Sequence, residues 1–185
     1  MKNRIAIVLL ALTMSACGSD DLFLVSTPPL ASVVPVYPRS IEVLDVVLPA
    51  YAAQADILVQ EADGALRPLG GALWADDPQL GITHALARQL DLGTTATAAP
   101  EPWPLFDSPD RRVQVTIDRM VARASGEMEL GGQFAILSPS GGAQEYLRRF
   151  DIRQPLTGVE PQRVAEAMGR ALGVLSDQIA ESLAR

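Results

Sequence analysis

The stretch from residue 111 to residue 152 constrains the fold most. Val113, Val115 and Ile117 alternate there with Gln114, Thr116 and Asp118. A period of two sends alternate side chains to opposite faces of an extended strand, one face dry and the other wet. Residues 127–137 form a second extended run and residues 143–152 a third, the two joined by the turn formers Ser138-Pro139-Ser140-Gly141-Gly142. Three successive strands with short connections make an antiparallel meander. Behind them the period changes. Val164, Met168, Leu172, Leu175, Ile179 and Leu183 recur at helical spacing, with Arg163, Glu166, Arg170, Asp177 and Glu181 on other faces. A helix with one apolar stripe covers a sheet with one apolar face. Gly169 and Gly173 stand four apart, a spacing that lets the helix lie close to the sheet.

Upstream, Ile41-Glu42-Val43-Leu44-Asp45-Val46-Val47-Leu48-Pro49 alternates apolar with acidic and then becomes β-branched, which predicts one strand stopped by Pro49. Residues 56–60 predict another strand. Ala62-Asp63-Gly64-Ala65 is a turn across which residues 66–69 pair back as a hairpin. Asp77 is a good N-cap and Pro78 suits the first helical position. The helix they open carries Ile82, Leu86 and Leu90 on one face and ends at Gly93. Residues 93–110 hold Pro100, Pro102 and Pro104, so they are expected to be irregular throughout; a loop of that length in a compact domain usually has a task or is disordered. The expected fold class is α+β: an α/β sandwich with two helices packed on one face of a mixed, mostly antiparallel sheet.

The N-terminus carries a different message. Lys2 and Arg4 precede an apolar run that starts at Ile5 and closes at Leu12-Thr13-Met14-Ser15-Ala16-Cys17. A basic start, a short apolar core and small residues at the end are the layout of a secretory signal. The core is too short for a bilayer-spanning helix, which needs about 20 residues. The cysteine directly after Ser15-Ala16 resembles the bacterial lipobox, in which the thiol receives a diacylglycerol, the signal is cut just before it and the new amino group is acylated. Cys17 is the single cysteine of the chain. The expected division is a lipoprotein signal over residues 1–16, a lipidated N-terminus with first strand (residues 22–26) and tether over residues 17–40, and one domain over residues 41–185. Several acyl chains hold far more firmly than one, at about 0.8 kcal/mol per buried methylene. Gly18 and Ser19 follow the cysteine and Asp20 comes only later. By the sorting rule of Gram-negative lipoproteins this favours the outer membrane, facing the periplasm.

Without residues 1–16 the 15 basic residues fall to 13 against 22 acidic ones, a net charge of −9, and no lysine is left. An acidic domain without a basic stripe argues against nucleic-acid binding. Catalytic chemistry has little to stand on. The single histidine, His84, falls away from the apolar helix face, one turn from Arg88, and reads as a surface residue. One histidine and one consumed cysteine make neither a zinc cluster nor a Cys–His pair, and no metal or cofactor is expected. The Gly-x-Ser-x-Gly elbow and the Gly-Lys-Ser/Thr phosphate loop are missing, so the chain does not hydrolyse ATP by that route. Asp20-Asp21 and Asp76-Asp77 sit on a tether and at a helix start, where solvation and capping account for them. The chain is not expected to be an enzyme. Four aromatics remain as candidate partner-binding residues. Tyr51 and Trp74 fit the edge of the core. Trp103 and Phe106, held between prolines, either meet a partner or lipid or fold back over the sheet; both readings stand at this point.

The order of these motifs resembles the lipoprotein auxiliary components of ABC-type transport systems, the PqiC-like proteins. In that family a lipobox is followed by a strand running into Leu-Pro-x-Tyr, a second strand, a Trp-Ala-Glu-type motif heading a helix, a β-meander and a long alanine-rich helix. The counterparts are Cys17, Val46-Val47-Leu48-Pro49-Ala50-Tyr51, Ile57-Leu58-Val59, Trp74-Ala75-Asp76, residues 113–137 and residues 164–183. The chain departs from the pattern at Ala52-Ala53-Gln54-Ala55-Asp56, where the family often has Leu-Asp-Arg-Pro-Gln, and at Asp76, where Glu is usual. The resemblance implies an outer-membrane lipoprotein that docks a periplasmic MCE-domain assembly of an intermembrane lipid transport system and helps maintain membrane integrity. Such assemblies are symmetric, and symmetric partners favour symmetric docking, here by a homo-oligomer of this chain. The alternative is a periplasmic lipoprotein that itself binds lipid or chaperones assembly of an outer-membrane component, which predicts a deep apolar cavity.

Overall fold

A computed structural model describes residues 21–25, 27–28 and 32–185. The signal and Cys17 lie outside the described residues. The chain order is β1 (Asp21–Phe23), β2 (Ser40–Val43), β3 (Asp56–Gln60), β4 (Leu66–Trp74), α1 (Pro78–Gly93), β5 (Thr97–Pro100), β6 (Arg111–Arg123), β7 (Glu127–Leu137), β8 (Tyr146–Pro155) and α2 (Pro161–Leu183). All eight strands among the described residues join one mixed sheet with both described helices on one face, an α+β fold.

The sheet is built around β6. One edge of β6 pairs antiparallel with β7, which pairs antiparallel with β8, the expected meander. The other edge is shared. β2 lies parallel to its start, at residues 111–113, and β3 lies parallel to its end, at Ala122 and Arg123. A 13-residue strand spans roughly 43 Å, long enough for two short neighbours in line. β5 extends the sheet beyond β2, and β4 then β1 extend it beyond β3. The parallel pairings run for two to four residue pairs each, against eleven and ten in the meander, so the sheet is mostly antiparallel by ladder length.

The period-two alternation of β6 changes phase once. A register shift between Ile117 and Arg119 moves the buried set from Val113, Val115 and Ile117 to Met120 and Ala122. Gly132 of β7 faces the shift, where a β-carbon would collide with the Thr116 carbonyl oxygen. Leu130, Phe134 and Ile136 of β7 meet Met168, Leu172 and Leu175 of α2 in one core, which Ile82, Leu86 and Leu90 of α1 extend. Both helices start as their sequences predict. The Asp77 carboxylate accepts from the Gln79 and Leu80 amides, and a proline occupies the first turn of each.

Three expectations need correction. The strand predicted over residues 41–48 ends at Val43. Leu44 still donates to the Val113 carbonyl and Val47 to that of Val115, so three steps along this segment match two along β6. The extra residue turns the Val46 amide away, onto Thr83 Oγ1 at 3.0 Å. The irregular stretch 93–110 contains β5, because Pro100 at its end needs no ladder amide. Gly173 faces Pro28 of the N-terminal segment rather than the sheet; a β-carbon there would lie 3.5 Å from the proline ring. Smaller shifts follow the same logic. β1 stops at Phe23, β4 runs on to Trp74, and β8 starts at Tyr146.

The N-terminal segment runs over the helices. Gln89 Nε2 donates to the Pro28 carbonyl at 3.1 Å, Val34 to that of Gly93 at 2.8 Å, and Tyr37 to that of Leu183 at 3.2 Å. β1 lies parallel to β4, and the Ala75 amide donates to the Phe23 carbonyl at 2.9 Å. No described helix is long and apolar enough to cross a membrane.

Candidate functional site

The four candidate aromatics fall into two pairs at opposite ends of β6. Tyr51 and Trp74 lie near Met120. Trp103 and Phe106 lie near Arg112. Eight residues of strand separate Met120 from Arg112, roughly 26 Å.

At the Met120 end the Leu-Pro-x-Tyr segment turns back on itself, with Ala52 donating to the Pro49 carbonyl at 2.8 Å. This brings the Tyr51 hydroxyl to the Met120 amide, from which it accepts at 3.0 Å where the β6 register shift frees that amide. Trp74 is 8% exposed and closes β4, its amide bonded to the Ala55 carbonyl at 2.8 Å. Trp74 and Met120 form a common wall. On the Tyr51 side is a void of about 20 Å³. On the other side an open-sided groove of about 390 Å³ runs between the N-terminal segment and the start of α1. Its apolar lining includes Phe23, Leu24, Val25, Ile82 and Ala85; Asp76, Asp77, His84 and Arg88 supply its polar lining. His84 is exposed, as its helical position implies.

At the Arg112 end a buried carboxylate organises the loop. Glu42 is 3% exposed, on the sheet face away from the helices. Arg112 Nε donates to Glu42 Oε2 at 2.6 Å, and the Trp103 amide donates to Oε1 at 3.0 Å. A buried carboxylate is tolerable only with partners of this kind. The Trp103 indole donates to the Asp107 carbonyl at 2.8 Å, while Glu101 accepts from the Asp45 amide at 3.1 Å. The loop is thus tied to β2 at its base and closed on itself by Trp103. Its tip is bare: Phe106 is fully exposed and Leu105 is 58% exposed. Trp103 folds back to hold the loop, and Phe106 points outward.

The same sheet face carries a second buried carboxylate. Glu129 is 3% exposed; Arg123 reaches it at 2.7 Å and Arg119 at 3.6 Å. Among the described residues, no three His, Cys, Asp or Glu side chains gather as a metal site would.

Sequence reasoning missed Glu42 as the anchor of the loop, because it read as the wet half of an alternating strand. It missed the groove because the apolar run at residues 22–25 read as strand alone. Only its first two residues are strand, and Leu24 and Val25 continue as groove lining. Arg88 was visible as the neighbour of His84, but its place on a groove needed the path of the N-terminal segment.

The sequence matches the model of the ABC-type transport auxiliary lipoprotein component family over residues 23–180, and the chain belongs to that family. The family is a transport auxiliary rather than an enzyme family, and its description implies membrane-anchored proteins that work with a transporter. Two solved structures share the fold. A Xanthomonas campestris protein of family DUF330 is 15% identical, with 88% of this chain and 95% of that one covered at a TM-score of 0.66. An uncharacterized protein is 18% identical, with 89% and 98% covered, also at 0.66. No curated protein matches the sequence.

Proposed function

We propose that this chain is the outer-membrane lipoprotein subunit of an MCE/ABC-type intermembrane lipid transport system, anchored by acyl chains on Cys17 and facing the periplasm. It docks the periplasmic MCE-domain assembly and is not itself a catalyst. The family match over nearly the whole domain carries this reading. Phe106 and Leu105 support it further. They sit on a loop tied down by Glu42 and Trp103, and rigid presentation of an exposed aromatic lowers the entropy lost on binding. We assign the partner contact to this loop, with several copies docking together on a symmetric partner.

Pull-down from native membranes tests the reading. The lipidated protein is expected to bring down an MCE-domain protein, and a clean negative with lipidation intact counts against docking. Cys17→Ser is expected to release a folded domain that no longer supports transport; full transport by the released domain would show that the anchor does not position it.

A further inference from the structure

The groove beside Trp74 has no role in docking at the opposite end of β6, yet its lining mixes two chemistries. Phe23, Leu24, Val25 and Ala85 offer accessible apolar surface over a floor of buried Trp74, Ile82 and Met120. Its volume, about 390 Å³, is at the lower end of small-molecule sites, about 300–1,000 Å³. His84 and Arg88 stand one turn apart on α1 and so share a side of the helix. Among the described residues neither makes a hydrogen bond or an ion pair, and both line the groove. Asp76 lines it too. One of its oxygens accepts from the Asp77 amide at 2.8 Å, and the other has no partner among the described residues. Among the described residues the site therefore offers a guanidinium without a partner beside an imidazole, an available carboxylate and an apolar trough.

Position decides between ligands. Phe23 is six residues from Cys17, and six extended residues reach at most about 20 Å. A chain acylated at Cys17 holds this groove next to the leaflet that receives its acyl chains.

We propose that the groove binds one phospholipid of that leaflet with a zwitterionic, ethanolamine-type headgroup. Arg88 and His84 take the phosphate, Asp76 takes the ammonium, and one acyl chain lies along Phe23, Leu24, Val25 and Ala85. A second negative charge on the headgroup would meet Asp76 and the capping carboxylate of Asp77, which disfavours purely anionic lipids. The inference rests on the anchorage at Cys17 given above, and it adds a lipid contact to what was a docking subunit.

The test is photo-crosslinking of the full lipidated protein in vesicles of phosphatidylethanolamine carrying a diazirine in one acyl chain, with adducts mapped by peptide mass spectrometry. Adducts are expected on peptides containing Phe23, Leu24, Val25 and Ala85. Ala85→Trp, which fills the groove, should lower them about tenfold, the equivalent of 1.4 kcal/mol. Arg88→Gln changes an exposed side chain and leaves folding alone, so it keeps the test sound if Ala85→Trp unfolds; it should lower adducts several-fold. Adducts that are scattered, or unchanged in both variants, would overturn the proposal. Equal labelling by a diazirine diacylglycerol without phosphate would overturn the headgroup assignment. Loss of all groove adducts on adding the MCE partner to the wild type would make the groove a protein-docking site and also overturn it. Pull-down from the same samples separates the two readings. Intact pull-down without groove adducts sinks the lipid site alone, whereas groove adducts without pull-down sink the docking role alone.

Discussion

The two ends of β6 treat their aromatic residues in opposite ways. At the Met120 end Trp74 is buried in the core and Tyr51 spends its hydroxyl on a backbone amide, so both belong to the architecture. At the Arg112 end the buried group is a carboxylate, and the aromatic beyond it is left in water. One end uses aromatics to hold the fold; the other uses a charge to hold a loop that presents an aromatic. Aromatic residues in this chain are therefore not equivalent candidates for contact, and what separates them is the hydrogen bonding of the backbone around them.

That contrast is open to mutation. Trp74→Ala should cost about 3–5 kcal/mol of stability in denaturant unfolding, as large-to-small changes in a packed core do; a cost under 1 kcal/mol would show that Trp74 is not structural. Glu42→Ala should cost about 1–3 kcal/mol, since it strands the Trp103 amide and Arg112. It should also open the loop to limited proteolysis between Pro104 and Ser108, and resistance to proteolysis would separate the loop from Glu42. Tyr51→Phe removes a single hydrogen bond and should cost about 1 kcal/mol. Phe106→Ala should move stability by less than about 0.5 kcal/mol, as surface changes do, while lowering recovery of the MCE partner in pull-down.

Asp177, on α2, sets the floor. Burial, helped by the charge of Glu181, raises its carboxyl above the ordinary 3.8. Folding thus disfavours its charged form. The penalty is absent below pH 3.8 and complete above the raised value. Asp177→Asn should stabilise the domain slightly at neutral pH, by about a few tenths of a kcal/mol after solvent screening, and not at all near pH 3. Equal melting shifts at both pH values would contradict this.

The meander, both helices and the hairpin at β3 and β4 were legible because each rests on local signals: period two, period 3.6, a cap, a proline or a turn. What was illegible depends on partners distant in sequence. Val43 ends β2 because the following segment takes one extra step against β6, and nothing within residues 41–48 announces that. β5 forms because β2 offers it an edge. Glu42 looks like the wet half of an alternating strand until a loop sixty residues downstream covers it. Of the candidate site, Trp103 and Phe106 were visible as aromatics between prolines, but which of the two folds back was decided by Glu42 and the Asp107 carbonyl.

The most direct measurement places a photo-reactive phenylalanine analogue at position 106 of the lipidated protein and illuminates native membranes. The same analogue at Leu147, an exposed position on β8, serves as the control. A crosslink from position 106, absent from position 147, to an MCE-domain protein is the predicted result. With lipidation intact, equal crosslinking from both positions, or no MCE-domain adduct from position 106, would contradict the assignment of docking to the Glu42-anchored loop.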